Sequence, residues 1–198
     1  PMSFQRIWHK NYPPGVPAEI DFDRITMPEA LTRSASRFPD KPALVYFGTF
    51  ITYRELESLV NRFARALLAL GVKKGDKVAM ILPNIPQFII AEYAAFRIGA
   101  VSVMNNPLYT AHELTHQLKD SDSSVMVTLD LFHPVARKLQ EATGAKKAIL
   151  CGLGDYLPEP LKPLFPPADV PAAEGVYHFM DLVGPQPADP VPNQASLE

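Results

Sequence analysis

A single cysteine in 198 residues leaves Cys151 without a disulfide partner in the chain. Nothing in the sequence therefore points to an oxidising compartment, and cytoplasm is the expected setting. Charge of one sign is equally scarce. Nineteen Lys and Arg stand against 21 Asp and Glu, a net charge of -2, which removes the bulk electrostatic reason to expect nucleic acid or an anionic membrane as the main partner. The two basic doublets, Lys73-Lys74 and Lys146-Lys147, read as solvated surface. Long apolar runs are missing too. The richest region, Val78 to Met104, is interrupted by Pro83, Asn84, Pro86, Glu92 and Arg97, which suits a buried strand-helix-strand unit better than a membrane span. The opening PMSFQRIWHKNYPPG has no apolar stretch of the length a secretory signal needs, so export is not expected. No internal repeat is visible.

What the chain does have is a repeated helix-start signal: Thr26 with Glu29, Thr52 with Glu55, and Thr110 with Glu113. Each pair has the spacing of a capping box, a hydroxyl accepting from a free amide while the glutamate reaches back. After Thr52, Leu56, Leu59, Val60, Phe63, Leu67 and Leu70 recur at helical spacing, with Glu57, Arg62 and Arg65 on the opposite side and Gly71 as the stop. This predicts a helix with one buried face. Gln87 to Ile98 is apolar nearly all round, which predicts a helix covered on more than one side. β-prone runs lie at Ala43 to Tyr46, Lys77 to Leu82, Ala100 to Met104, Val125 to Leu129 and Ala148 to Cys151. Strands alternating with helices predict an α/β fold: a mostly parallel sheet with helices on both faces and right-handed crossovers. Phe47-Gly48-Thr49-Phe50 is expected to turn a small hairpin before the Thr52 helix.

Three segments follow from this pattern: residues 1–25, extended and without helical periodicity; 26–155, the α/β unit; and 156–198, a linker or wrapping arm. Ten of the 21 prolines fall between Pro158 and Pro192, where regular elements are hard to build. Tyr177 to Val183 is the exception, an apolar run suited to an edge strand or a helical turn. The early segment up to Ile20 is expected to pack on a neighbouring subunit, and Leu197-Glu198 reads as a scar ahead of an affinity tag.

His112-Glu113-Leu114-Thr115-His116 fits the HExxH pattern of a zinc peptidase, which needs two imidazoles on the metal, a third ligand and a glutamate free to activate water. If Thr110 caps the helix, Glu113 is committed to the backbone and makes a poor base. Both histidines also project roughly 130 to 170° from the face formed by Ala111, Leu114 and Leu118, at about 100° per residue. Lys119 and Asp122 occupy the positions where a longer metzincin pattern places glycine and histidine. Glu141, the nearest third ligand of the other type, falls on a separate predicted helix. Zinc proteolysis is therefore a minor alternative, and no metal residue is assigned.

Three longer blocks carry a different signal: WHKNYPPGVPAEI from Trp8 to Ile20, ITYRELESLVNRFARALLALGVKKGDKVAMILPN from Ile51 to Asn84, and GAVSVMNNPLYTAHELTHQLKDS from Gly99 to Ser121. In this order they resemble the acyl-adenylate-forming enzymes, within them the bacterial long-chain fatty acyl-CoA ligases, over about residues 6 to 185. The resemblance implies the first subdomain of that fold. It also implies a whole enzyme that joins a fatty acid to the α-phosphate of ATP with Mg, releases pyrophosphate, and passes the acyl group to coenzyme A.

That chemistry needs a glycine- and hydroxyl-rich loop whose amides cradle phosphate, in the family approximately (Y/F)TSGTTGxPKG. No such loop occurs in these residues. Gly144-Ala145-Lys146 lacks the remaining glycines and hydroxyls, and Gly152-Leu153-Gly154 is a lone GxG of little weight. The family's YGxTE-like and YxxGD motifs and its small C-terminal domain with the adenylation lysine are likewise not found. The expectation is an inactive N-terminal portion of a longer ligase, with no catalytic, cofactor-binding or metal residue of its own. Its expected partners are the remainder of its chain, with fatty acid and coenzyme A for the whole enzyme, a possible homodimer, a possible peripheral membrane contact and no nucleic acid. A stand-alone, non-catalytic binding or docking module of the same fold is the alternative. Asn105, Asn106 and Pro107 suit a turn leaving the Ala100 strand.

Overall fold

The computed structural model describes residues 6–197; residues 1–5 and Glu198, which belong to the expected N-terminal segment and tag scar, lie outside the described residues. The chain order is α1 (Met27–Arg37), β1 (Pro42–Tyr46), β2 (Thr49–Thr52), α2 (Tyr53–Ala69), β3 (Lys77–Ile81), α3 (Pro86–Arg97), β4 (Val101–Met104), α4 (Ala111–Asp120), β5 (Ser123–Leu129), α5 (His133–Ala142), β6 (Lys147–Cys151), β7 (Val176–His178) and α6 (Phe179–Val183). All three threonine-glutamate pairs form complete capping boxes, at the starts of α1, α2 and α4. Gly71 ends α2 with φ +84, a conformation that costs glycine nothing.

Strands β3 to β7 form one parallel sheet in the order β4-β3-β5-β6-β7. Its strands alternate side chains between two faces. Val78, Met80, Val125, Val127 and Ile149 point into a core shared with α2 and α3. Ala79, Ile81, Met126, Ala148 and Leu150 point into a second core with α4 and α5. No residue of α3 is exposed, as its all-round apolar sequence predicts.

The run at Ala43 to Tyr46 is a strand but does not join the parallel sheet. It pairs antiparallel with β2 across the turn Phe47-Gly48, whose φ values are +47 and +89. Two central residues at positive φ match the twist of a tight hairpin, so β1 is closed locally. The fifth strand of the parallel sheet comes instead from β7, within the proline-rich segment, and α6 follows it directly.

Arg62 and Arg65, opposite the apolar face of α2, meet that same segment. Arg62 Nη1 donates to Gly184 O at 3.2 Å and Arg65 Nη2 to Asp189 O at 3.1 Å. Asn61 Oδ1 accepts from Val191 N at 2.9 Å, and Val191 is buried. Arg97 O accepts from Gln194 N at 2.8 Å. Glu57 holds the buried Arg97 guanidinium with both carboxylate oxygens, at 2.7 and 2.9 Å. The guanidinium also donates to Asn61 Oδ1 and Thr32 Oγ1. Side chains on α2 thus supply the partners that a segment without regular pairing needs for its backbone groups.

Candidate functional site

In open parallel sheets, ligands bind beyond the carboxyl ends of the strands, where successive connections diverge. Here β3 leads to β4 on one side while β5 leads to β6 on the other, so that point lies between β3 and β5. The strands are joined there by Thr128 Oγ1, which donates to Ile81 O at 3.2 Å. A cavity of about 70 Å³ beside it is lined by Ile81, Pro107, Tyr109, Leu114, Thr128 and Phe132, among others. Its walls are mostly apolar, with Thr128 and Tyr109 the polar side chains among them.

The loop after β4 forms one rim. Asn105 N donates to Met80 O at 2.9 Å, fixing the loop to β3. Its Nδ2 donates to Val103 O at 2.8 Å, while its buried Oδ1 has no partner among the described residues. Asn106 Oδ1 accepts from Leu108 N at 3.0 Å, the side-chain turn that the Asn-Asn-Pro sequence predicts.

The loop after β6 forms the other rim. Gln87, buried at the start of α3, donates from Nε2 to Gly152 O at 2.8 Å and to Asp155 Oδ2 at 3.0 Å. Gly152 N donates to the same carboxylate oxygen at 3.0 Å. Burial raises the Asp155 carboxyl above its ordinary range, and these two hydrogen bonds oppose the shift only in part. Burial first, then the charges of Asp155 and Asp130, pushes the Cys151 thiol well up. A thiol held protonated is no nucleophile. Asp130 is spent on the amides of Leu131 and Ala168, at 2.7 and 2.9 Å.

A cleft of about 290 Å³ lies beside this loop, with Gly152, Gly154, Asp155, Lys162, Phe165 and Met180 in its wall. A Cβ at Gly154 would sit 2.6 Å from Phe165 O, and one at Gly152 2.6 Å from Asp155 Oδ1. Glycine at 154 thus allows the close approach of a backbone carbonyl.

The HExxH residues sit elsewhere. His112, Glu113 and His116 are exposed on α4, and Glu113 Oε2 accepts from Thr110 N at 2.8 Å and Thr110 Oγ1 at 2.7 Å. These hydrogen bonds, the backbone one first, hold the Glu113 carboxyl below its ordinary value. Glu141 is exposed on α5, and no group of three or more metal-ligating side chains occurs among the described residues. Sequence reasoning missed Gln87 and Asp155 as partners; a lone GxG followed by aspartate was the available signal.

Fold and edge together define a doubly wound α/β domain with clefts and rims at the carboxyl ends of its strands. The chain belongs to the AMP-binding enzyme family, whose model matches residues 31–195. It is 39% identical over 165 residues to a long-chain-fatty-acid–CoA ligase of Bacillus subtilis (strain 168), covering 83% of this chain and 30% of that protein. A ligase of the same name from Salmonella typhimurium is 39% identical over 155 residues, 77% of this chain and 28% of its own. The chain thus spans about 30% of the length of these relatives. Among solved structures, an acetoacetyl-CoA synthetase from Streptomyces lividans superposes with a TM-score of 0.71 at 26% identity, over 85% of this chain and 26% of that one. A coronafacic acid ligase from Pectobacterium brasiliense superposes at 0.70 with 19% identity, over 86% and 31%, and shares the fold.

Proposed function

We propose that this chain is the N-terminal α/β subdomain of a long-chain fatty acid–CoA ligase. The whole enzyme converts ATP, fatty acid and coenzyme A to acyl-CoA, AMP and pyrophosphate through an acyl-adenylate. The observation that carries this reading is 39% identity, over 83% of the chain, to a protein of that name of which the match covers 30%. ATP, Mg and coenzyme A are assigned to the whole ligase. None of them is assigned to a residue here, because a loop of the (Y/F)TSGTTGxPKG type does not occur in these residues. Residues 1–198 alone are inactive in this account, and serve as a scaffold whose carboxyl edge meets the remainder of the enzyme.

The boundaries that suit this role are 1–25 as an N-terminal segment, 26–155 as the α/β unit and 156–198 as the arm. No helix of the described residues is long and apolar enough to cross a membrane, and the lone buried Cys151 suits a reducing, cytoplasmic setting. The exposed Ile7, Trp8, Ile20 and Phe22 favour contact of the N-terminal segment with a second copy, giving a homodimer. The gene supplies the test. A reading frame continuing beyond Ser196 into a loop of the (Y/F)TSGTTGxPKG type supports the ligase; a stop codon there assigns the chain to a stand-alone docking module instead.

A further inference from the structure

With Glu113 committed to the helix cap, two imidazoles of HELTH remain unused. His112 and His116 are both exposed on α4, and neither ring enters a hydrogen bond or an ion pair among the described residues. One helical turn separates them, so their Cβ atoms stand about 5–6 Å apart on one side of the helix. From that spacing both rings reach a single ion at the ~2.0–2.1 Å of a metal–nitrogen bond. The other histidines, His9, His133 and His178, have no histidine within four positions.

The helix fixes this pair before an ion arrives. Its start is closed by the complete Thr110–Glu113 capping box, and Leu114 and Leu118 anchor its inner side in the core shared with Met126, Ala136 and Leu139. A pair held on a rigid element loses little conformational freedom on binding. Carboxylates outnumber cations beside it. Besides the Thr110 hydrogen bonds, positive charge at His112 helps hold the Glu113 carboxyl low, so an ion on that ring meets an attractive neighbour. Asp120, exposed one turn past His116, adds a second carboxylate against the single Lys119. The positive end of the helix dipole, near His112, opposes a cation and keeps binding weak.

We propose that His112 and His116 form an exchangeable site for a late first-row transition ion, copper(II) most tightly and nickel(II) and zinc(II) more weakly, with water in the remaining positions. The order follows the affinity of nitrogen ligands along that series. Two protein ligands fall short of the three or four that hold a catalytic or structural zinc, and no third ligating side chain completes a group among the described residues. The ion is therefore held reversibly and leaves on purification. The site stands independently of the ligase reading.

Retention of the 198-residue chain on immobilised copper(II)–iminodiacetate tests it, because the resin-bound ion offers open positions to a surface pair. Retention and elution by imidazole are expected, and His112→Ala and His116→Ala should each lose most of that retention. Combining His116→Ala with Gln117→His keeps the number of histidines but turns the second ring to another side of the helix, at about 100° per residue. That variant is expected to bind no better than His116→Ala. In solution, nickel(II) several-fold above its dissociation constant should raise Tm of the unsubstituted chain by about 2–4 °C, since the unfolded chain holds no fixed pair. The Tm of His116→Ala should stay level. An unsubstituted chain retained no longer than His112→Ala, or a spacing variant retained equally, overturns the proposal. So does a Tm rise of the same size in every variant, which would place the ion elsewhere.

Discussion

Glu113 shows how one side chain can complete a catalytic pattern and do something else. Its carboxylate accepts from both the backbone and the hydroxyl of Thr110, so HELTH reads as a helix start with two solvated histidines. Elemental analysis is expected to find no tightly held zinc, and His112→Ala to leave stability within about ±0.5 kcal/mol. One zinc per chain, lost in that variant, would contradict this. The cap itself is the stabilising element: Thr52→Ala, at the equivalent position of α2, is expected to cost about 1 kcal/mol in urea titrations. Asp155 has the opposite pH signature. Its carboxyl is raised in the folded state, so the native chain binds more protons than the unfolded one as pH rises from 3.8, and stability falls through that window. Asp155→Asn should remove this downward component between its unfolded and folded values. Parallel stability curves for the two proteins from pH 4 to 6 would refute the assignment.

At the scale of elements, the informative contact is between the proline-rich arm and α2. Patterning made α2, its cap and its buried face legible, because propensity and period act within a few residues. It could not show that Arg62 donates to a carbonyl 122 residues later, since arginine on a helix's polar side looks the same whether it meets water or a backbone oxygen. Arg97 was legible only as an interruption. Its burial depends on Glu57, Asn61 and Thr32, drawn from two other helices. Removing that ion pair by Arg97→Ala leaves Glu57 without its partner and is expected to cost about 3 kcal/mol or more, read as a lower urea midpoint. Asn61→Ala removes the acceptor for Val191 N, so hydrogen exchange at Val191 should accelerate while Val127 in β5 stays protected. Unchanged exchange at Val191 would mean that the arm is held by other contacts.

For the molecule as a whole, the alternating strands and helices made the parallel sheet legible, and the four strand runs from Lys77 to Cys151 fall where the sequence places them. Its order was not legible, because pairing between strands is decided by packing across the sheet. Nor was the exclusion of β1, which a two-residue turn closes locally. The rims of the carboxyl edge were half legible. Asn105 to Pro107 announced a turn, whereas the Gln87–Asp155 contact joins residues 68 apart with no local signal. What results is a scaffold that matches ligases over nearly a third of their length. The central claim is that catalysis requires the remainder of such an enzyme. Pyrophosphate release from ATP with palmitate and coenzyme A measures this directly. None is expected from residues 1–198, and release is expected from a protein continued to the full length of its relatives. Release by the 198-residue chain alone, or none by the extended protein, would contradict the account.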